Sequence, residues 1–258
     1  MDGEDKKSQR QRLLLKQLEA QRYISLDEVA SRFAVTQQTA RRDIMELEAR
    51  GNLRRLHGGA MISNSIEPSE LRSRRIRNAQ AKERIGARVA DLVKDGASLF
   101  LDTGTTCEAV ARALVRRRNL RVVSYSLRIA AYLSEVTDFT VAVPGGFVRQ
   151  VDGGIFQEQS QASFITDFKF DLAILSVSGI DHDGDLGDDD QAEVETVRSA
   201  MKRSQKVLLA VDSSKFGHRG LVNLGSLSDV DFLVSDAPLS RTIKTAVSKG
   251  RLTFHQAS

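Results

Sequence analysis

Apolar positions fall into two regimes along the chain. In the first 60 residues they recur at helical spacing in short runs. In QRQRLLLKQLEAQR (9–22), Leu14 and Leu18 share one face, with Leu15 nearby. Ser25 is placed to cap a second helix, LDEVASRF (26–33), whose Leu26, Val29, Ala30 and Phe33 lie on one side. Thr36 opens a third, in which Ala40, Ile44 and Leu47 repeat at i, i+4 and i+7 as an inward stripe. Only Ala34 and Val35 separate Phe33 from Thr36, and a short turn between two small helices is a helix-turn-helix. Gly51 stops the third helix. NLRRLHGGA (52–60) then suits a β-wing turning at Gly58 and Gly59.

From residue 79 the pattern changes. AKERIGARVADLV is amphipathic, with Ile85, Val89 and Leu92 inward. SLFLD, LRVVS, FTVAV, LAILSVS, KVLLAVD and DFLVS read as buried strands. CEAVARALV, LRIAAYL and EVETVRSAMKRS read as helices. Strands alternating with helices predict an α/β fold with a mostly parallel sheet, in which ligands bind beyond the C-terminal strand ends. Between the regimes, 61–80 loses apolar periodicity and holds a proline and a cluster of arginines. The division expected is a winged helix-turn-helix at 1–60, a linker at 61–78 and a β/α domain at 79–258. Arg72, Arg74, Arg75 and Arg77 either solvate a connecting helix or lie beside a polyanion.

Charge sharpens the first half. Residues 1–78 carry 16 Lys+Arg against 11 Asp+Glu, and the remainder 22 against 23. A basic head on a near-neutral body suits double-stranded DNA. Gln, Thr and Arg near a helix N-terminus read base edges in the major groove, and Arg, Lys and backbone N–H groups grip phosphates. The residues expected at operator DNA are Thr36, Gln37, Gln38, Thr39, Arg41 and Arg42 on the helix, with Arg54, Arg55 and His57 on the wing. One small winged helix covers few base pairs, so a homo-oligomer, dimer or tetramer, is expected. A single cysteine, no secretory leader and no apolar run of about 20 residues point to a cytoplasmic protein off the membrane.

The second half places polar turns after its strands. Asp102-Thr103-Gly104-Thr105-Thr106 leads into a helix, whose free N–H groups and positive dipole end favour a phosphate. Ser124-Tyr125, Gly145-Gly146 and the loop from Asp212 to Gly217 end three further strands. All four turns can converge on one small ligand, with Lys215 as its cation. Asp-Thr-Gly-Thr also occurs in aspartic proteases, but those need two such aspartates in an all-β body. DHDGDLGDDDQAE (181–193) fails the calcium-loop pattern, having Leu186 at the sixth and Ala192 at the twelfth position. It is expected to be a solvated acidic loop. Cys107 reads as a small buried filler. No cofactor and no metal are expected.

The head resembles the winged helix of the DeoR family of bacterial transcription regulators. The resemblance is carried by Phe33, Val35, Thr36, Thr39, Arg41, Arg42, Asp43, Ile44, Gly51, Leu53, Arg55, His57, Gly58, Gly59 and Ala60, with Ala40 where the family has Ile. The body, roughly 80–236, resembles the family's effector domain. It does so at Lys82-Glu83-Arg84-Ile85, Asp102-x-Gly104-Thr105-Thr106, Gly145-Gly146, Asp152-Gly153-Gly154, Ser178-Gly179-Ile180-Asp181, Glu193-Val194 and Asp212-x-Ser214-Lys215-Phe216-Gly217. The resemblance implies a fold similar to ribose-5-phosphate isomerase. It also implies a regulator, expected to be a repressor of a carbohydrate or polyol operon, that senses a phosphorylated sugar or polyol. The effector residues implied are Asp102, Gly104, Thr105, Thr106, Ser124, Tyr125, Gly145, Gly146, Gly154, Glu193 and Lys215. Several stretches most resemble the glycerol-3-phosphate regulon subgroup, which makes glycerol-3-phosphate the expected effector. Two departures stand out: Ser124-Tyr125 replaces Thr-Asn, and Gly187 to Ala192 is acidic or small apart from Gln191 where the family has an aromatic. The alternative is a sugar-phosphate isomerase with an appended DNA-binding head, using Asp102, Glu193 and Lys215 to move a proton.

Overall fold

A computed structural model describes residues 2–21, 23–50, 52–56, 58–62, 69–148, 154–156, 161–240, 243–244 and 252–258. The chain forms two compact units, 1–66 and 67–258.

The first unit runs α1 (Asp2–Gln21), β1 (Tyr23–Ser25), α2 (Leu26–Arg32), α3 (Gln37–Ala49), β2 (Leu53–Leu56) and β3 (Gly59–Ile62). The three strands form one small sheet in the order β1-β3-β2. Ser25 caps α2 in a reciprocal capping box with Glu28, and the Thr36 hydroxyl accepts the Thr39 N–H to start α3. Leu14, Leu18, Ile24, Val29, Ala40, Ile44, Leu47, Leu53 and Ala60 form the core. Of the expected α2 stripe, Val29 is buried, while Leu26 and Phe33 pack partly buried around it.

The second unit begins earlier than expected. Residues 69–76 form helix α4 (Ser69–Ile76) with Leu71 buried, and β3 already occupies 59–62, so little of 61–78 is plain linker. One inward leucine in an arginine-rich octamer is too little apolar signal to read as periodicity. Then come α5 (Ala79–Leu92), β4 (Ser98–Leu101), α6 (Thr105–Leu114), β5 (Arg121–Val123), α7 (Leu127–Val136) and β6 (Thr140–Ala142). The chain continues through β7 (Phe147–Val148), β8 (Ile155–Phe156), α8 (Gln161–Thr166), β9 (Phe170–Leu175), β10 (Gly179–Ile180) and β11 (Asp185–Asp188). It ends with α9 (Gln191–Lys202), β12 (Ser204–Ala210), β13 (Val222–Ser226), β14 (Phe232–Ser235) and β15 (Thr253–Gln256).

Seven of these strands form an all-parallel sheet, β15-β14-β12-β9-β4-β5-β6. Residues along each strand alternate between two cores. Leu99, Leu101, Leu172 and Ile174 face one with α5, α6 and α7, whereas Phe100, Ala173 and Leu175 face the other with α9. On α5, Ile85 and Val89 are buried and Leu92 is partly buried against the same core, followed by the buried Val93 at the helix end. Gly86 lets α5 lie against α6, since a Cβ there would stand 2.6 Å from the Ala109 carbonyl oxygen.

Chain direction across the sheet reverses between β4 and β9: β5 and β6 follow on one side, β12, β14 and β15 on the other. Such a switch point leaves a crevice at the C-terminal strand ends. A separate antiparallel sheet, β10-β11-β13, stands beside it. It uses residues expected to be a solvated loop: Leu186 is fully buried, Asp185–Asp188 pair with β13, and Leu186 and Gly187 pair with β10 as well. Alternation over so few residues was masked by the surrounding carboxylates.

Candidate functional site: an exposed helix face and a polar cavity

The head presents α3. Its inner face is apolar except for Asp43, which is buried and receives Arg10 Nε at 2.6 Å and Gln11 Nε2 at 3.2 Å from α1. A buried carboxylate needs such partners, and here they hold α3 against α1. The outer face is the stripe Gln38, Arg41, Arg42 and Met45, all exposed. Gln38, Arg41 and Arg42 make no hydrogen bond or ion pair among the described residues. The other expected readers are engaged locally. Thr36 and Thr39 bond each other at the helix cap, and Gln37 donates to Asp27 at 2.5 Å. On the wing, the Arg55 N–H donates to Glu48, and its guanidinium lies 3.9 Å from the same carboxylate. The Arg54 side chain, His57 and Gly51 lie outside the described residues.

In the second unit a cavity of about 350 Å³ opens at the strand ends. Its floor comes from three strands: Asp102 after β4, Ser176 after β9 and Asp212 after β12. Gly104 has φ 99°, a conformation glycine adopts without strain, and is the N-cap of α6. The turn therefore presents Thr105 and Thr106, which sit in the first helical turn and line the cavity. Lys82, Lys215, Arg74 and Arg77 line it too. Asp188, Asp189, Asp190 and Glu193, where β11 passes into α9, line the same cavity.

Asp102 is the keystone beneath this cavity. It is buried, its Oδ1 accepts the Thr103 N–H at 2.8 Å and the Tyr125 hydroxyl, and its Oδ2 accepts the Ser176 N–H at 3.2 Å. It thus ties the ends of β4, β5 and β9 together. Burial raises its pKa to about 7 against the opposing pull of these three donors. A carboxyl that binds its proton more tightly when folded favours the folded state at low pH. That contribution is complete below the ordinary value of 3.8 and is lost as pH rises to about 7. Asp102→Asn is therefore expected to flatten the fall in urea midpoint between pH 4.5 and 7.5; an unchanged slope would assign the pH dependence elsewhere.

The cations are held on α4, α5 and the loop after β12. Lys82 is buried, and its Nζ donates to the Arg74 and Arg77 carbonyls at 2.5 and 2.8 Å, capping the C-terminal end of α4. Burial lowers its pKa; Asp212 opposes this, while Lys215, Arg74 and Arg77 add to it. Burial likewise lowers Lys215, with Arg74 adding and Asp212, Asp188 and Asp189 opposing. Asp212 caps the 3₁₀ turn Ser213–Lys215 and accepts Asn78 Nδ2 at 2.8 Å. Arg75 on α4 makes a two-pronged pair with the buried Glu108 of α6, both contacts at 2.7 Å.

The structure thus gathers Asp102, Gly104, Thr105, Thr106, Glu193 and Lys215 in one cavity. It does not bring Ser124 and Tyr125 there. Both are buried outside its lining, where Tyr125 bonds Asp102 and stacks near Phe100. Gly145, Gly146 and Gly154 do not line it either; Gly145 and Gly146 are exposed beyond β6, and Gly154 bridges to Ser126. Asp152 and Gly153 lie outside the described residues. Sequence reading missed Lys82, Ser176, Ser178, Asp188 and Asp189. Lys82 sits in a motif already singled out, and its neighbour Ala81 and successor Ile85 mark that face as inward.

Among the described residues, no helix is long and apolar enough to cross a membrane, and no group of three or more His, Cys, Asp or Glu could hold a metal ion. Comparison with known proteins covers both units. Residues 10–66 match the DeoR-like helix-turn-helix domain, and residues 77–237 match the DeoR C terminal sensor domain. The glycerol-3-phosphate regulon repressor of Escherichia coli K12 is 41% identical over 233 residues, 90% of this chain and 92% of that protein. The repressor of the same description from Haemophilus influenzae is 40% identical over 234 residues, covering 90% and 91%. A ribose 5-phosphate isomerase from Methanocaldococcus jannaschii superposes over 54% of this chain and 55% of that one, with TM-score 0.41 and 15% identity, a likeness too distant to speak to chemistry. Both halves match, in order and over most of their length, so the chain belongs to the DeoR family of DNA-binding transcriptional regulators.

Proposed function

We propose that this regulator represses a carbohydrate or polyol catabolic operon and is released from its operator by a phosphorylated polyol or sugar, glycerol-3-phosphate first among them. The observation that carries this reading is the cavity at the switch point. A helix N-terminus, two hydroxyls and four cations surround a space of about 350 Å³, the size class of small-ligand sites. The phosphate sits at Gly104–Thr106, with Lys215 as its fixed cation. Asp102 holds the floor rather than the ligand. That also weighs against the isomerase alternative, since both its oxygens are already taken by donors.

The route to the head starts at α4. Lys82 caps that helix through two carbonyls, and Thr105 Oγ1 reaches the Arg74 carbonyl at 3.5 Å. A phosphate at the cradle competes for Lys82 and for the Arg74 guanidinium, so it favours a different seating of α4. The effect on DNA binding is limited to the ligand's difference in affinity between the two seatings. The working form is a cytoplasmic homo-oligomer, dimer or tetramer, whose paired heads span an operator.

The test is a thermal-shift panel of phosphorylated polyols and sugars on the full chain, followed by operator release with any hit. A ligand at ~100 times its Kd adds about 2.7 kcal/mol of stability. Glycerol 3-phosphate is expected to raise the melting temperature and release DNA. Failure of every phosphorylated compound to stabilise the protein would overturn the phosphate cradle.

A further inference from the structure

We propose that the carboxylates sharing the cavity with the cradle, Asp188 and Asp189 above all, restrict it to ligands with a single anionic end. The accepted class is monophosphates whose remaining groups are neutral hydroxyls; bisphosphates and phosphorylated sugar acids are refused. The inference rests on the phosphate-cradle reading and deepens it.

The cavity carries charges of both signs. Lys82, Lys215 and Arg74 stand with the α6 N-terminus, while Asp188, Asp189, Asp190 and Glu193 stand where β11 meets α9. The four carboxylates are not equivalent. Asp190 is spent on the N-cap of α9, accepting the Ala192 and Glu193 N–H groups at 2.8 and 3.1 Å. Asp188 Oδ1 accepts the Ser178 hydroxyl and the Asp189 N–H, both at 2.8 Å. Its Oδ2 accepts no hydrogen bond among the described residues, and neither does the exposed Asp189 side chain. Two carboxylates therefore present free acceptor oxygens to the cavity.

An ionised carboxylate only accepts hydrogen bonds, so it takes hydroxyl donors and repels a second anion. The repulsion is large because the wall is half-buried. Burial already disfavours charge on Asp188, raising its pKa even with Arg74 and two hydrogen bonds opposing. A ligand carboxylate would add to a field that Lys215, drawn on by the phosphate, no longer offsets.

Matched pairs isolate this effect. sn-Glycerol 3-phosphate and L-3-phosphoglycerate, which share the configuration at C2, differ only in a terminal CH₂OH against COO⁻, as do sorbitol 6-phosphate and 6-phosphogluconate. Calorimetric titration of the full chain with all four is expected to show the alcohol bound at least on the order of tenfold tighter than its acid in each pair that binds. In the D188N/D189N double variant the ratio is expected to shrink to within about threefold, with the acid gaining affinity. Misfolding cannot produce a gain. Should the double variant not fold, Asp189→Asn alone, at an exposed position, must still narrow the ratio.

Equal affinity within a pair for the native chain, or an unchanged ratio in the variants, would overturn the proposal while leaving the cradle standing. Binding of none of the four would overturn the cradle, and the proposal with it.

Discussion

Arg41→Ala is expected to lower operator affinity by about 30-fold or more. A base contact is worth roughly 1–3 kcal/mol, and an operator engaged by two heads loses it twice. The side chain is exposed and unpartnered among the described residues, so nothing in the fold depends on it. The melting temperature should therefore stay within the small range of surface substitutions, about 0.5 kcal/mol. Affinity measured by fluorescence anisotropy at several salt concentrations separates the possible roles. Relaxed sequence preference marks a base reader; a uniform loss with a shallower salt slope marks a phosphate contact. Near-native affinity would remove the outer face of α3 from the interface. Asp43, two positions on, would give a misleading answer, because losing it also unpairs Arg10 and Gln11 inside the head.

Lys215→Ala is expected to leave operator binding without effector within about twofold while weakening the effector by about 30-fold or more. Truncating one member of a buried charged contact costs roughly 2–5 kcal/mol. Lys215 also offsets Asp212, Asp188 and Asp189, so part of its removal is felt without ligand. Lys215→Gln retains donors and volume, and calorimetry on both variants separates loss of charge from loss of shape. An unchanged effector Kd in both would take Lys215 out of the site.

The head was legible because its signals are local. Capping residues, inward stripes and the breaks at Ala34-Val35 and Gly51 each act within a turn or two, and Thr36 and Ser25 cap as their chemistry demands. The strands of the parallel sheet were legible because both faces are buried, which leaves unbroken apolar runs such as FDLAIL. The polar turn at Gly104–Thr106 was legible because a strand, a glycine turn and a helix start follow one another in the chain.

What failed was whatever depends on distant partners. Nothing local tells that Tyr125 points under the floor to Asp102 while Ser176 reaches the same carboxylate from β9, 74 residues away. The acidic run looked solvated because carboxylates usually are; pairing of β11 with β13 turns Asp188 inward to face Lys215. Helix α4 looked like linker because its arginines find their roles only against Glu108 and the cavity. By itself, then, the sequence determined the two domain types and the helix-turn-helix, because short-range backbone preferences and burial periodicity are written in consecutive residues. Only the tertiary structure decided which polar groups meet, because the field at a carboxylate is set by the charges and dipoles around it in space, wherever they lie along the chain.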